Sequence, residues 1–176
     1  MKLKQYMQYV DYLIQHKIGV YKAGRKLGVS RFQLLVHDMS KFSPTEFFPY
    51  AKYFYGARGS DWYNEKMKND FKLAWLNHIH KNKHHWNHWI YNSDSDGIQV
   101  FRMPEKYIRE MVADWMGVSY AKGEPMSNAV AWYEKNKDTL ILHETTRRRV
   151  EALLETGNPY PNISVQPYPQ KREPGS

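Results

Sequence analysis

Ionisable residues sit inside stretches of this chain that otherwise read as the buried faces of helices, and no other feature restricts the fold as strongly. The plainest case is Leu34-Leu35-Val36-His37-Asp38-Met39-Ser40-Lys41-Phe42, where an apolar helical stretch turns polar at a His-Asp pair. Neighbours on a helix point about 100° apart, so the pair can reach one ion only from adjacent walls of a concave site. Distant helices must therefore converge on it. Imidazole with carboxylate suits first-row transition ions, and such ions activate water, which makes a metal-dependent hydrolase the first class to consider.

The spacing of apolar residues predicts helices almost throughout. A long first helix covers about 4–27, with Met7, Val10, Leu13, Ile14 and Tyr21 at helical spacing, and ends near Gly28. Ser30, with Gln33 three residues on, forms a capping box for a second helix that delivers His37-Asp38 at its end. Ser43-Pro44-Thr45-Glu46 is a stronger start, with a Ser cap, Pro at the first position and Glu at the third. That third helix runs to about Phe54, and a fourth spans about Asp61–His80. Asn92–Gly97 reads as a polar loop, with Ile98–Phe101 briefly extended. Pro104 opens a helix striped with Tyr107, Ile108, Met111, Val112 and Trp115, which stops at Gly117. Shorter helices fit 128–136 and 144–155. The expectation is an all-α, single-domain helical bundle over residues 1–157. A flexible tail follows over 158–176, where five prolines rule out a packed helix.

Other candidate ligands lie on these helices. Asp114 falls on or beside the apolar stripe of its helix, so it needs a metal, or else a partner such as Arg25 or Arg109. His16 lies in the first helix, upstream of the His-Asp pair. Five of the eight histidines crowd into residues 78–88: His78, His80, His84, His85 and His88. On a continuous helix only one face of that set can meet a single centre. Trp75 and Ile79 place His78 near the buried side, which favours His78 and His85, with His84 as rival. Trp86 and Trp89 either wall a pocket or stack on a base, or else simply fill the core. Lys41 lies one turn after the pair and could contact a phosphate oxygen. Arg25, Arg31 and Lys83 are further basic candidates at a pocket rim. His143, near a helix start, reads as a cap.

Composition narrows the class. The chain has no cysteine, which excludes disulfides and thiolate zinc sites and fits a reducing cytoplasm. No apolar run is long enough for a membrane span, and no secretory leader is evident. Lys plus Arg number 26 against 18 Asp plus Glu, which favours an anionic partner: a small phosphorylated molecule, most naturally a nucleotide, or nucleic acid. The densest basic run is Arg147-Arg148-Arg149.

The order His16, His37-Asp38, a histidine cluster and Asp114, all on helices, resembles the HD-domain superfamily of metal-dependent phosphohydrolases. More narrowly, three segments resemble an uncharacterised family of small phage and bacterial proteins: His37 to Ser43, His78 to Trp86, and Met103 to Trp115. Trp132-Tyr133 and Leu142-His143 extend that likeness, so it covers most of residues 5–155. The superfamily resemblance implies His16, His37, Asp38 and Asp114 as ligands of one ion, with His78 and His84 or His85 serving a second. It implies one or two ions of Mn, Fe, Co, Ni or Zn, and cytoplasmic hydrolysis of a nucleotide or related phosphate ester by metal-activated water. In that scheme Asp38, Lys41 and Glu110 are the catalytic candidates, Glu110 as proton acceptor and Lys41 at the leaving phosphate. Arg25, Arg31, Lys83, Trp86 and Trp89 are the substrate-binding candidates. The alternative is a degenerate HD fold that binds a nucleotide or nucleic acid without turnover, as a phage anti-defence module would.

Overall fold

A computed structural model describes residues 2–157; the Pro-rich stretch expected to form a flexible tail lies outside the described residues. Seven α-helices carry the fold among them: α1 (Leu3–Lys26), α2 (Arg31–Val36), α3 (Pro44–Tyr55), α4 (Asp61–Lys81), α5 (Glu105–Ala121), α6 (Asn128–Asn136) and α7 (Glu144–Thr156). The all-α expectation holds, with one small antiparallel hairpin added, β1 (Ile90–Ser93) and β2 (Gly97–Val100). No helix among the described residues is long and apolar enough to cross a membrane.

α1 and α5 form the central pair, with α3 packed on α1 and α4 on α3, and with α6 and α7 packed on α5. Two apolar clusters result. Val20, Leu27, Leu34, Met111, Val112 and Leu153 belong to the larger one. Tyr9, Leu13, Tyr50, Ala51 and Ala74 make the smaller, more aromatic one. α1 contributes Leu13 to one cluster and Val20 to the other, and His16 lies between them along the same buried face.

The structure departs from the sequence reading at four places, each with a physical reason. α5 continues through Gly117 to Ala121. A Cβ on Gly117 would stand 2.9 Å from the Val20 backbone nitrogen and 3.2 Å from the His16 carbonyl oxygen, so this glycine admits α1 at close range rather than ending a helix. Gly19 mirrors it, with Tyr120 Cβ 2.7 Å from where its own Cβ would lie. Secondly, residues 90–100 form a hairpin, with Ser93 paired to Gly97 and Gly97 at φ 68°, the left-handed position that closes a three-residue turn. Thirdly, α4 ends at Lys81, close to the expected end at His80, but the one-face choice among the cluster histidines does not arise: His84 and His85 lie in the turn that folds back over its end. Fourthly, α2 stops at Val36. His37 leaves the helical conformation at ψ 128°, and Asp38 is left-handed at φ 55°, a conformation that costs most non-glycine residues about 1–2 kcal/mol. Asp38 thereby turns back into the protein instead of following the helix outwards.

Candidate metal centre

The ends of α2 and α4, the turn after α4 and the middles of α1 and α5 meet at Asp38. Its two carboxylate oxygens face different groups. Oδ2 lies 3.6 Å from His16 Nε2 and 3.5 Å from His37 Nε2. Asp114 Oδ1 joins that side, 3.0 Å from His16 Nε2 and 3.3 Å from His37 Nε2. Oδ1 lies 3.3 Å from both His78 Nε2 and His84 Nε2. The donor atoms of His16, His37, Asp38 and Asp114 fall within 4.8 Å of one another, and so do those of Asp38, His78, His84 and His85. Asp38 belongs to both sets. The rivalry among His78, His84 and His85 dissolves because the turn after Asn82 brings His84 and His85 to the inward face where α4 already places His78, while His80 is exposed and His88 turns to the Ile79 carbonyl at 3.2 Å.

A chain of hydrogen bonds orients the rings. Glu110 Oε1 lies 2.9 Å from His37 Nδ1, and Glu46 Oε2 lies 2.8 Å from His78 Nδ1. A ring that donates from Nδ1 presents the Nε2 lone pair inwards. Glu110 is itself held by Gln33 Nε2 at 2.5 Å. Glu46 accepts from Ser40 Oγ at 2.9 Å and from Asn77 Nδ2 at 3.1 Å. Asn82 Nδ2 donates to Ser40 Oγ at 2.9 Å. Trp75 stacks on His78 at 5.7 Å, and Tyr12 stacks on His16 at 6.1 Å.

This arrangement leaves the inward atoms without hydrogen-bond partners: Nε2 of His16, His37, His78, His84 and His85, Oδ1 of Asp38 and Oδ1 of Asp114. Buried polar atoms are rarely left so, because each costs about 1–3 kcal/mol. Lone pairs of imidazole and carboxylate facing each other at 3.3 Å repel unless a proton or cation lies between them. These buried imidazole and carboxylate groups therefore lie within metal-binding distance of one another, and their chemistry fits a bound metal cation.

The electrostatics separate the groups further. Burial would raise the Asp38 carboxyl, but the charges of His37 and Lys41, with the nearby rings of His16 and His78, hold it well below the usual carboxylate range. Asp114 is likewise held low against burial by His16 and His37. Burial alone would depress His37; the charge of Asp38, the nearby Asp114 carboxylate and the bond to Glu110 overcome it and hold the ring at about 10. His78 is raised against burial by Asp38 and Glu46. Burial and the nearby charge of His37 push His84 down to about 3, and burial beside His84 pushes His85 well below its ordinary value. The Lys41 ammonium lies 2.5 Å from Asp38 Oδ2, and the attraction of Asp38 and Asp114 outweighs its burial and raises its pKa.

Two cavities adjoin the centre. One of about 510 Å³ reaches Lys41, His85 and Asp114 and has Trp86, Trp115 and Trp132 in its walls. A groove of about 780 Å³ runs behind His37, His84 and Glu110 and includes Lys83. Of the expected substrate-binding residues, Trp86 thus lies beside the centre and Lys83 on its far side. Three are placed elsewhere. Arg25 bonds the Val29 carbonyl at 3.0 Å and braces the turn between α1 and α2. Arg31 is exposed at the start of α2 and lines neither cavity. Trp89 packs on the larger core and donates to the Lys83 carbonyl at 2.9 Å. Glu110 stands on the Nδ1 side of His37, 3.6 Å from His84 Nδ1, and these three make a further group within metal-binding distance. The arginine alternative for Asp114 falls away, since Arg109 bonds Glu105 at 2.7 Å. The basic run is also committed internally: Arg147 to the Leu140 carbonyl, Arg148 to Glu144 and Arg149 to Glu105. His143 caps α7, accepting from the Thr145 amide at 3.1 Å.

Sequence reasoning missed Glu46, Gln33 and Ser40. Glu46 looked like the third residue of a capping box, but the Ser43 side chain makes no cap bond and Glu46, fully buried, turns to His78. Ser30 does cap α2 at the Gln33 amide, yet the Gln33 side chain goes to Glu110 instead of closing the box. A buried Glu four residues past the Ser40-Lys41-Phe42 turn carries no separate signal, because its cap role explains it equally well.

A search of curated proteins finds no match, and neither does a search of solved structures. A family described only as one of unknown function, DUF5662, matches residues 5–156, and the chain belongs to that family.

Proposed function

We propose that the chain is a metal-dependent phosphohydrolase of the HD type, acting on a nucleotide or related phosphate ester, and that the residues gathered around Asp38 would hold its one or two divalent ions. The observation that supports this most is the set of buried, partnerless Nε2 and carboxylate atoms arranged around the two oxygens of one aspartate. His16, His37 and Asp114 would share one ion with Asp38, and His78, His84 and His85 the other. Divalent transition ions held there would lower the pKa of water and offset charge on a phosphate in the transition state.

The chain's own groups do the rest. Glu110 and Glu46 fix the tautomers of His37 and His78, so that both rings offer a lone pair to the centre. Glu110 is occupied in this way, so it orients His37 instead of accepting the reaction proton. Asp114 has its Oδ1 within the centre and also lines the 510 Å³ cavity, which makes it the carboxylate best placed to accept a proton from water on that side. Lys41 keeps a positive charge at the cavity wall, where it would steady phosphate oxygens.

The test is phosphate release from a panel of nucleotides and model phosphodiesters by protein of verified metal content. Release that needs metal and disappears in Asp38→Ala with the fold intact supports the proposal. No turnover across the panel with ions bound refutes it.

One observation favours a second reading. The Lys41 ammonium already sits against Asp38 Oδ2, as a fixed cation would in a degenerate centre. A non-catalytic module of that kind binds its nucleotide in a salt-sensitive way that survives both chelator and Asp38→Asn.

A further inference from the structure

Two buried phenols have no role in the centre as described. Tyr9 and Tyr50 are 1% and 5% exposed, and neither hydroxyl has a hydrogen-bond partner. Both belong to the smaller core cluster, where phenylalanine would fill the same space without a stranded hydroxyl. Their rings lie 6.4 Å apart, and Tyr50 meets the ring of His78 edge-on at 6.2 Å. Both also line the 510 Å³ cavity, together with Lys41, His85 and Asp114. A phenol at neutral pH keeps its proton and donates one hydrogen bond, and an ammonium donates up to three. The residues that carry these donors therefore line the cavity that reaches the candidate ligands, and donors of this kind call for a ligand rich in acceptor oxygens. The cavity is far larger than such an anion needs, and its other walls include Trp86, Trp115 and Trp132.

We propose that the hydroxyls of Tyr9 and Tyr50, with the Lys41 ammonium, form an oxyanion site beside the metal centre that receives the phosphate of the substrate, while the tryptophan-walled remainder receives a flat organic group. The substrate class is then a phosphate ester of an aromatic or heteroaromatic alcohol or nucleoside. This rests on the reading of the centre as a phosphohydrolase site. Binding, however, is read without turnover, so the two can fail separately.

The experiment is calorimetric titration of the metal-loaded full chain with inorganic phosphate and with phenylphosphonate, which cannot be hydrolysed at its P–C bond. Wild type binds both saturably, and phenylphosphonate more tightly. Tyr9→Phe and Tyr50→Phe each lose about tenfold or more in affinity for both, as befits a hydrogen bond to a charged group. Metal content is unchanged, and the melting temperature is unchanged or raised, because a stranded buried hydroxyl has been removed. A merely structural pair of tyrosines would instead lose stability and keep phosphate affinity. That result, or no saturable phosphate binding by wild type with its metals bound, overturns the oxyanion site. Equal affinity for the two probes overturns the flat-group assignment. Tyrosine-dependent binding without hydrolysis of any ester leaves this site standing and removes the catalytic reading.

Discussion

Glu46→Gln isolates the contribution of a carboxylate that never touches an ion. Glu46 and His78 are both fully buried, and Glu46 Oε2 stands 2.8 Å from His78 Nδ1, so water screens their interaction little. Three groups donate to the carboxylate: His78 Nδ1, Ser40 Oγ and Asn77 Nδ2. Glutamine keeps the shape and can turn its oxygen to the first two, while Asn77 can rotate its amide to accept from the new NH2. What disappears is the negative charge that makes His78 a better electron donor. Loss of such a partner typically weakens metal binding about 10–100-fold, or about 1.4–2.8 kcal/mol. The effect should fall on one of two equivalents, because Glu46 contacts none of His16, His37 and Asp114. Titration of chelator-stripped protein with Zn or Mn should show two equivalents for wild type, and for Glu46→Gln one unchanged and one weakened equivalent. Thermal stability in the apo state should shift by only a few degrees. Two unaltered equivalents, or equal weakening of both, would refute the reasoning. Glu46→Ala is a poorer test, since stripping three buried donors of their acceptor would confound affinity with folding.

Other outcomes follow from the same geometry. Gly117→Ala should destabilise by about 1–2 kcal/mol despite alanine's better helix propensity, because backbone atoms of α1 occupy the Cβ position and cannot yield; thermal melting checks this. Because α1 carries His16, the same variant should also lose metal affinity. Glu105 ties α5 to α7 through Arg149 Nη2 at 2.6 Å, and the bonds to Arg149 and Arg109 hold its pKa below 4.5 against partial burial. Its stabilising contribution is therefore complete above about pH 4.5 and fades as pH falls through the lowered value. Glu105→Gln should cost less than about 1 kcal/mol at pH 7, given its partial exposure, and should match wild type in acid melts. Stripping the ions with chelator should lower the melting temperature of wild type and leave Asp38→Ala unmoved, as differential scanning would show.

The candidate ligands were legible in the sequence because each breaks a local rule: an ionisable side chain on a face that otherwise reads as buried. Asp114 between Met111 and Trp115 carries that signal alone, whereas His16 gains its weight from lying upstream of the His37-Asp38 pair. Glu46 and Gln33 obey the local rules of helix caps, so nothing in the sequence distinguished their inward turn. The backbone reversal at Asp38 was equally hidden, since the apolar run before it predicts a helix and aspartate tolerates the left-handed region without announcing it. Arg25, Arg31 and Trp89 were chosen for charge and ring alone, and their partners are settled by tertiary contacts that no spacing encodes. Gly117 misled because close helix approach and helix termination use the same residue.

The most direct test of the two-ion centre is the metal content of the full chain purified without chelator, read by elemental analysis for wild type and Asp38→Asn side by side. The account predicts two first-row divalent ions per chain in wild type and a loss at both positions in the variant, since each position uses one oxygen of that carboxylate. A wild-type chain that stays metal-free after incubation with Mn, Fe, Co, Ni and Zn, or a variant that retains both ions, would contradict it.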